Sequence, residues 1–76
     1  MTGGIEALEI EIVDPAPAIG VSVGDLGVPS GAVIGAVLRG DKAIVPRGST
    51  RFELGDRVVV LATPDSVGTV ERLFGT

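Results

Sequence analysis

The chain contains no cysteine, histidine, tryptophan or tyrosine. Without cysteine it has neither a disulfide nor a thiolate metal site to reinforce its fold. Without histidine and cysteine it lacks the ordinary general base and the thiol nucleophile, and no serine sits in a nucleophile-elbow pattern. Lys42 is the only lysine, beside an exposed turn. These absences argue against an enzyme and point to a binding or regulatory module. No run approaches the roughly 18 apolar residues of a membrane-spanning helix. The opening Met1-Thr2-Gly3-Gly4 has neither the basic nor the apolar segment of a signal peptide.

What is present is apolar. Of 76 residues, 45% are hydrophobic, and the mean hydropathy is +0.52. A chain this short makes one domain and buries only about 60% of its unfolded surface. A small fold this rich in apolar residues implies that some of that surface is covered by a partner, either a second copy or the rest of a larger protein.

The net charge of −4 disfavours non-specific binding to DNA or acidic lipid. Its distribution is uneven. Residues 1–38 carry five acids and no base, whereas residues 39–57 hold Arg39, Lys42, Arg47, Arg51 and Arg57 against three acids. The positive region is the stretch Arg39–Ala62, around which the remaining residues are organised as packing.

Residues 1–5 read as an unstructured start and 6–76 as one domain. Residues 6–13 alternate, with Leu8, Ile10 and Ile12 opposite Glu9 and Glu11, which predicts a half-buried strand. Asp14-Pro15-Ala16-Pro17 ends it. Ile19, Val23 and Leu26 recur at helical spacing and predict a short helix, weakened by Gly20 and Gly24. Residues 32–39 and 42–45 read as strands joined by Gly40-Asp41, a pair suited to a type II′ turn. Residues 57–62, continuously apolar after Arg57, predict a central strand covered on both faces. The last element is a helix with Thr63 at the N-cap, Pro64 at its first position, Asp65 in its first turn, a stripe of Val67, Val70 and Phe74, Arg72 in its last turn and Gly75 as the left-handed cap. The order β-α-β-β-β-α implies an α+β fold: a small, mostly antiparallel sheet with helices on one face.

In sequence order, Ile19–Pro29, the apolar strand Val33–Arg39, Val45-Pro46 followed by Gly48 and Thr50, and Leu54-Gly55-Asp56 before an apolar strand resemble the C-terminal domain of RCK proteins, also called TrkA-C. The resemblance runs from about Glu6 to Phe74. It implies a regulatory domain of a potassium channel or transporter, or of a cation antiporter. It further implies a homodimer formed through this domain and attached, on the cytoplasmic side, to an RCK-N nucleotide-binding domain or a membrane transporter subunit. In several members a small ligand such as cyclic di-AMP lies at the dimer interface, with apolar residues against its bases and polar or basic groups on its phosphates. Other members respond to metal cations or have no ligand here. The Rossmann glycine fingerprint is absent, so no dinucleotide cofactor is expected in this stretch.

Each candidate residue has a functional and a structural reading. Arg39 and Arg47 can hold phosphate with a planar fork of donors, or can be solvated strand ends. Pro46, Ile34 and Ile44 can line an adenine pocket, or can be strand punctuation and core. Gly55-Asp56 can belong to a site, or can form a corner in which Asp bonds the backbone. Glu9 and Glu11 offer carboxylates to a hard cation, or make a solvated face. Gly48-Ser49-Thr50 forms a backbone nest for phosphate, or a plain turn. Two alternatives stand beside the regulatory reading. Lys42–Pro46 followed by Leu54-Gly55-Asp56 and Arg57–Val60 also resembles swapped-hairpin (AbrB-like) DNA-binding modules, although Gly48-Ser49-Thr50 and the negative charge count against them. The other is a purely structural dimerisation domain without a ligand.

Overall fold

In a computed structural model, residues 4–75 are described. Four strands form one antiparallel sheet: β1 (Glu6–Glu11), β2 (Ala32–Arg39), β3 (Lys42–Ile44) and β4 (Arg57–Ala62). Their order across the sheet is β1-β4-β2-β3, so β4 is central, as its unbroken apolar run predicts, but only its inner face is buried, and Leu61 on the outer face is 43% exposed. One helix, α1 (Pro64–Phe74), follows directly. The α+β class and the antiparallel sheet agree with the sequence reading. Of the expected unstructured start, residues 1–3 lie outside the described residues.

The inner face of the sheet carries Ile10, Val37, Val58, Val60 and Ala62, all buried, and α1 packs across β1, β4 and β2 with Val70 and Phe74. Phe52 and Phe74 meet edge to face with ring centroids 5.2 Å apart. Thr63 takes the extended N-cap conformation and Gly75 the left-handed one (φ 93°). The Thr63 hydroxyl makes no capping bond and donates instead to Ser66 Oγ (3.1 Å).

Gly40 turns the β2–β3 hairpin at φ 61°, and Asp41 is not left-handed, the combination a type II′ turn requires. On β2 the register shifts between Ile34 and Ala36, which leaves Gly35 as a bulge. The extra residue exchanges the faces. Ile34 points inward opposite Val60, and beyond the bulge it is Val37, not Ala36, that points inward opposite Val58. Arg39 therefore lies on the inner side.

The expected helix around Ile19–Leu26 does not form. Gly20 and Gly27 stand at φ 80° and 78°, outside the helical region. Val21, Asp25 and Leu26 N–H close local turns, and other backbone groups of this stretch cross to the loop before β4. Gly20 N–H donates to Phe52 O (2.8 Å), Phe52 N–H to Val21 O (3.1 Å), Val23 N–H to Thr50 O (2.8 Å) and Gly24 N–H to Gly48 O (2.9 Å). The apolar spacing is satisfied by packing of half-buried Ile19, Val23 and Leu26 against the core. The element order is accordingly β-β-β-β-α, not β-α-β-β-β-α.

Candidate functional site

The loop from Pro46 to Phe52 carries Arg47 and Arg51 and is held from three sides. Its backbone is laced to residues 20–24 as described above. Within it, Thr50 N–H donates to Arg47 O (3.0 Å) and Arg47 N–H to Thr50 Oγ1 (2.9 Å). Its far end is fixed by arginine side chains: Arg51 Nη1 donates to Gly20 O (2.8 Å), and Arg39 Nη2 to Arg51 O (2.9 Å).

Arg39 is the centre of this bracing. Its Nε and Nη2 donate to Asp56 Oδ1 and Oδ2, each at 2.9 Å, the parallel two-bond geometry of an arginine–carboxylate pair. Nη1 lies 3.2 Å from Glu53 Oε2. Asp56 is almost fully buried and also accepts the Glu53 N–H (2.9 Å). Burial pushes the Asp56 carboxyl up, but the Arg39 hydrogen bonds, the Glu53 N–H and the Arg39 charge together outweigh it and hold the group below the ordinary aspartate value. Asp56 in turn raises the Arg39 pKa, chiefly through their hydrogen bonds. A guanidinium has five N–H donors, and these contacts occupy most of them.

Of the five candidate residues, Arg39 is thus a brace at the end of β2. Ile44 is half-buried on the inner face opposite Val37, and half-buried Pro46 and exposed Arg47 follow it along the chain. The antiparallel register carries this exit in the direction of Ile34, also half-buried and packed against the core. The Arg47 guanidinium makes no hydrogen bond or ion pair among the described residues, and neither do the Gly48 and Ser49 N–H groups. Asp56 has the turn-bonding role its sequence context suggests. Its pairing with Arg39 was not foreseen from the sequence; the bulge that turns Arg39 inward hides it. Glu9 pairs with Arg57 (3.2 Å) on the outer side of the sheet, and no cluster of acids capable of holding a metal ion occurs among the described residues. No helix there is long and apolar enough to cross a membrane.

The structure thus combines a β1-β4-β2-β3 sheet and a C-terminal helix with a Gly-Asp corner whose Asp56 is buried against a strand-end arginine, and with a laced basic loop. The chain belongs to the TrkA-C domain family, whose family model matches residues 7–75. This is the RCK C-terminal domain family, a regulatory domain and not an enzyme. Among its relatives, the Trk system potassium uptake protein TrkA of Haemophilus influenzae is 37% identical over 76 residues, covering 95% of this chain and 17% of that protein. The TrkA homolog of Archaeoglobus fulgidus is 39% identical over 56 residues, covering 74% of this chain and 13% of the relative. The chain therefore spans less than a fifth of the length of these relatives. Among solved structures, the RCK_C domain dimer of S. agalactiae BusR in complex with c-di-AMP matches with a TM-score of 0.78 and 28% identity, covering 90% of this chain and 93% of that one. BusR in complex with its busAB-promoter DNA matches equally well but over 35% of that chain. The family match displaces the swapped-hairpin alternative.

Proposed function

We propose that this domain is the ligand-sensing, dimerising module of a potassium or other cation transport protein, joined to an RCK-N domain or to a membrane transporter subunit on the cytoplasmic side, and that its ligand is a cyclic dinucleotide such as cyclic di-AMP. The observation that carries the reading is the likeness to a domain dimer solved with c-di-AMP, a likeness that spans nearly the whole of both chains. The local chemistry supports it. Arg47 and the N–H groups of Gly48 and Ser49 are unengaged donors on a braced loop, and such a set suits a phosphate. Half-buried Pro46, Ile44 and Ile34 supply the neighbouring apolar surface for a base. Arg39 contributes indirectly, by fixing the loop, and through the N–H it has left.

Regulation then works by population shift. The ligand has an effect only to the extent that it binds one dimer geometry better than another; moving a two-state equilibrium from 1:99 to 99:1 requires about 10⁴-fold preference.

Calorimetric titration of the chain with cyclic di-AMP, against AMP and linear diadenylate, tests the reading. Binding of the cyclic ligand is expected, and Arg47→Ala is expected to weaken it about 10- to 100-fold, as the loss of a hydrogen bond to a charged group does. No heat with any nucleotide leaves the domain as a dimerisation unit without a ligand.

A further inference from the structure

The two edges of the sheet differ in how they are protected. β3, at one edge, is three residues long, begins with Lys42 and leads into Pro46, which has no N–H to donate. Short length, lysine and proline are devices that keep an edge from pairing with another chain. β1, at the other edge, has none of them. It is six residues long, without lysine or proline, and its register against β4 is unbroken.

The hydrogen bonds just beyond β1 show which of its groups are open. Ile12 N–H donates towards the β4 side, to Asp56 O (2.8 Å), and Val13 N–H donates away from it, to Phe74 O (3.5 Å). Hydrogen bonding alternates along an antiparallel strand. The backbone groups of Glu6, Leu8 and Ile10 therefore face β4, and those of Ala7, Glu9 and Glu11 face away from the sheet. These last three residues are exposed. Their N–H and C=O groups meet no loop, helix or further strand among the described residues. On the outer face, the row they form is continued by Ile5 and Val13, which are 63% and 39% exposed.

We propose that the free edge of β1 is a docking strand: an extended, basic segment of a partner protein adds to it, with its backbone bonded to Ala7, Glu9 and Glu11 and its basic side chains beside Glu9 and Glu11. The inference goes beyond the nucleotide reading and does not rest on it. An extended segment is selected because the open backbone groups repeat every second residue, about 7 Å apart, the spacing of another strand. A basic one is selected by charge. Residues 1–38 hold five acids and no base. Glu11 makes no ion pair among the described residues, and Glu9 shares only the half-exposed Arg57 (3.2 Å). Opposite charges across a strand pair stabilise it and like charges oppose it. The same rule excludes a second copy: β1 paired with its own copy about a two-fold axis sets acids against acids.

Amide resonances of the labelled chain, titrated with a short capped peptide of alternating lysine and valine and with its glutamate–valine counterpart, test the edge. The lysine peptide is expected to shift the Ala7, Glu9 and Glu11 amides saturably, to slow their hydrogen exchange and to bind about 10-fold or more tightly than the glutamate peptide, with the difference shrinking at high salt. Glu11→Lys, at an exposed position, is expected to weaken the lysine peptide about 3- to 10-fold. Ala7→Pro removes an outward N–H and no bond to β4, and is expected to weaken it about 10-fold. Circular dichroism checks that each variant folds; should Ala7→Pro not fold, Glu11→Lys decides. Equal affinity for the two peptides, no shift with either, or shifts confined to β3 or to residues 46–52 overturn the proposal. So do edge amides that are already protected in the chain alone, which give the edge to a second copy or to another part of this chain. Cyclic di-AMP is expected to leave the β1 amides unmoved, so this inference and the nucleotide reading fail separately.

Discussion

Replacing Asp56 with alanine removes the acceptor for three hydrogen bonds at once: two from Arg39 and one from the Glu53 N–H. Asp56 is 1% exposed, so its space closes to water, while the Arg39 side chain is 32% exposed and keeps part of its hydration. Breaking a fully buried ion pair costs about 3–5 kcal/mol. The exposure of Arg39 and its remaining contact with Glu53 reduce that figure, and the orphaned Glu53 N–H adds to it, so about 2–3 kcal/mol is expected. For a domain of this size that lowers the melting temperature by roughly 10–20 °C. Thermal melts by circular dichroism at neutral pH measure it. A double-mutant cycle with Arg39→Ala then isolates the pair, and a coupling of at least about 1 kcal/mol is expected. A drop of only a few degrees, or coupling near zero, refutes the assignment of Arg39 as a brace and returns it to the solvent as a free phosphate donor.

The same pair sets the acid limit of the fold. The Asp56 pKa is depressed in the folded state. Its contribution is therefore present above the unfolded aspartate value, near 3.9, and is lost as pH falls through the lower folded value. The melting temperature of the parent is expected to fall steeply only below about pH 4, and that of Asp56→Asn to start lower and fall less. Gly31→Ala probes the entry into α1. A Cβ there collides with Ser66 Oγ and stands 2.6 Å from Thr63 Oγ1, and the overpacking is expected to cost about 1–3 kcal/mol in chemical denaturation; an unchanged midpoint contradicts the placement of the helix start.

Most of the scaffold was legible because it follows from period and punctuation. β1 announces itself by alternation, β4 by its apolar run, and α1 by Thr63-Pro64 at one end and Gly75 at the other. The segment 18–27 was misread because apolar spacing alone cannot tell a helix from an irregular ribbon. What decides between them is where the backbone donors go: with Gly20 and Gly27 at positive φ no helix forms, and the N–H groups of Gly20, Val23 and Gly24 go to residues 48–52.

The role of Arg39 was hidden for a related reason. Counted in twos from Ala32, the inward positions of β2 are Ala32, Ile34, Ala36 and Leu38, and Arg39 faces solvent. The bulge at Gly35 moves every later residue to the other face, so Val37 enters the core and Arg39 is carried in beside Asp56. An inward arginine requires an acceptor, and Asp56, the one buried residue of the otherwise exposed Leu54-Gly55-Asp56 corner, is the group that meets it. One glycine in a strand thus links the sheet to the loop: it aims Arg39, Arg39 fixes Arg51 O and Asp56, and the loop so held presents Arg47. Lengthening or removing the bulge is a sharper disturbance of the candidate site than any change to the loop's own exposed residues, because it reverses which face of β2 carries the brace.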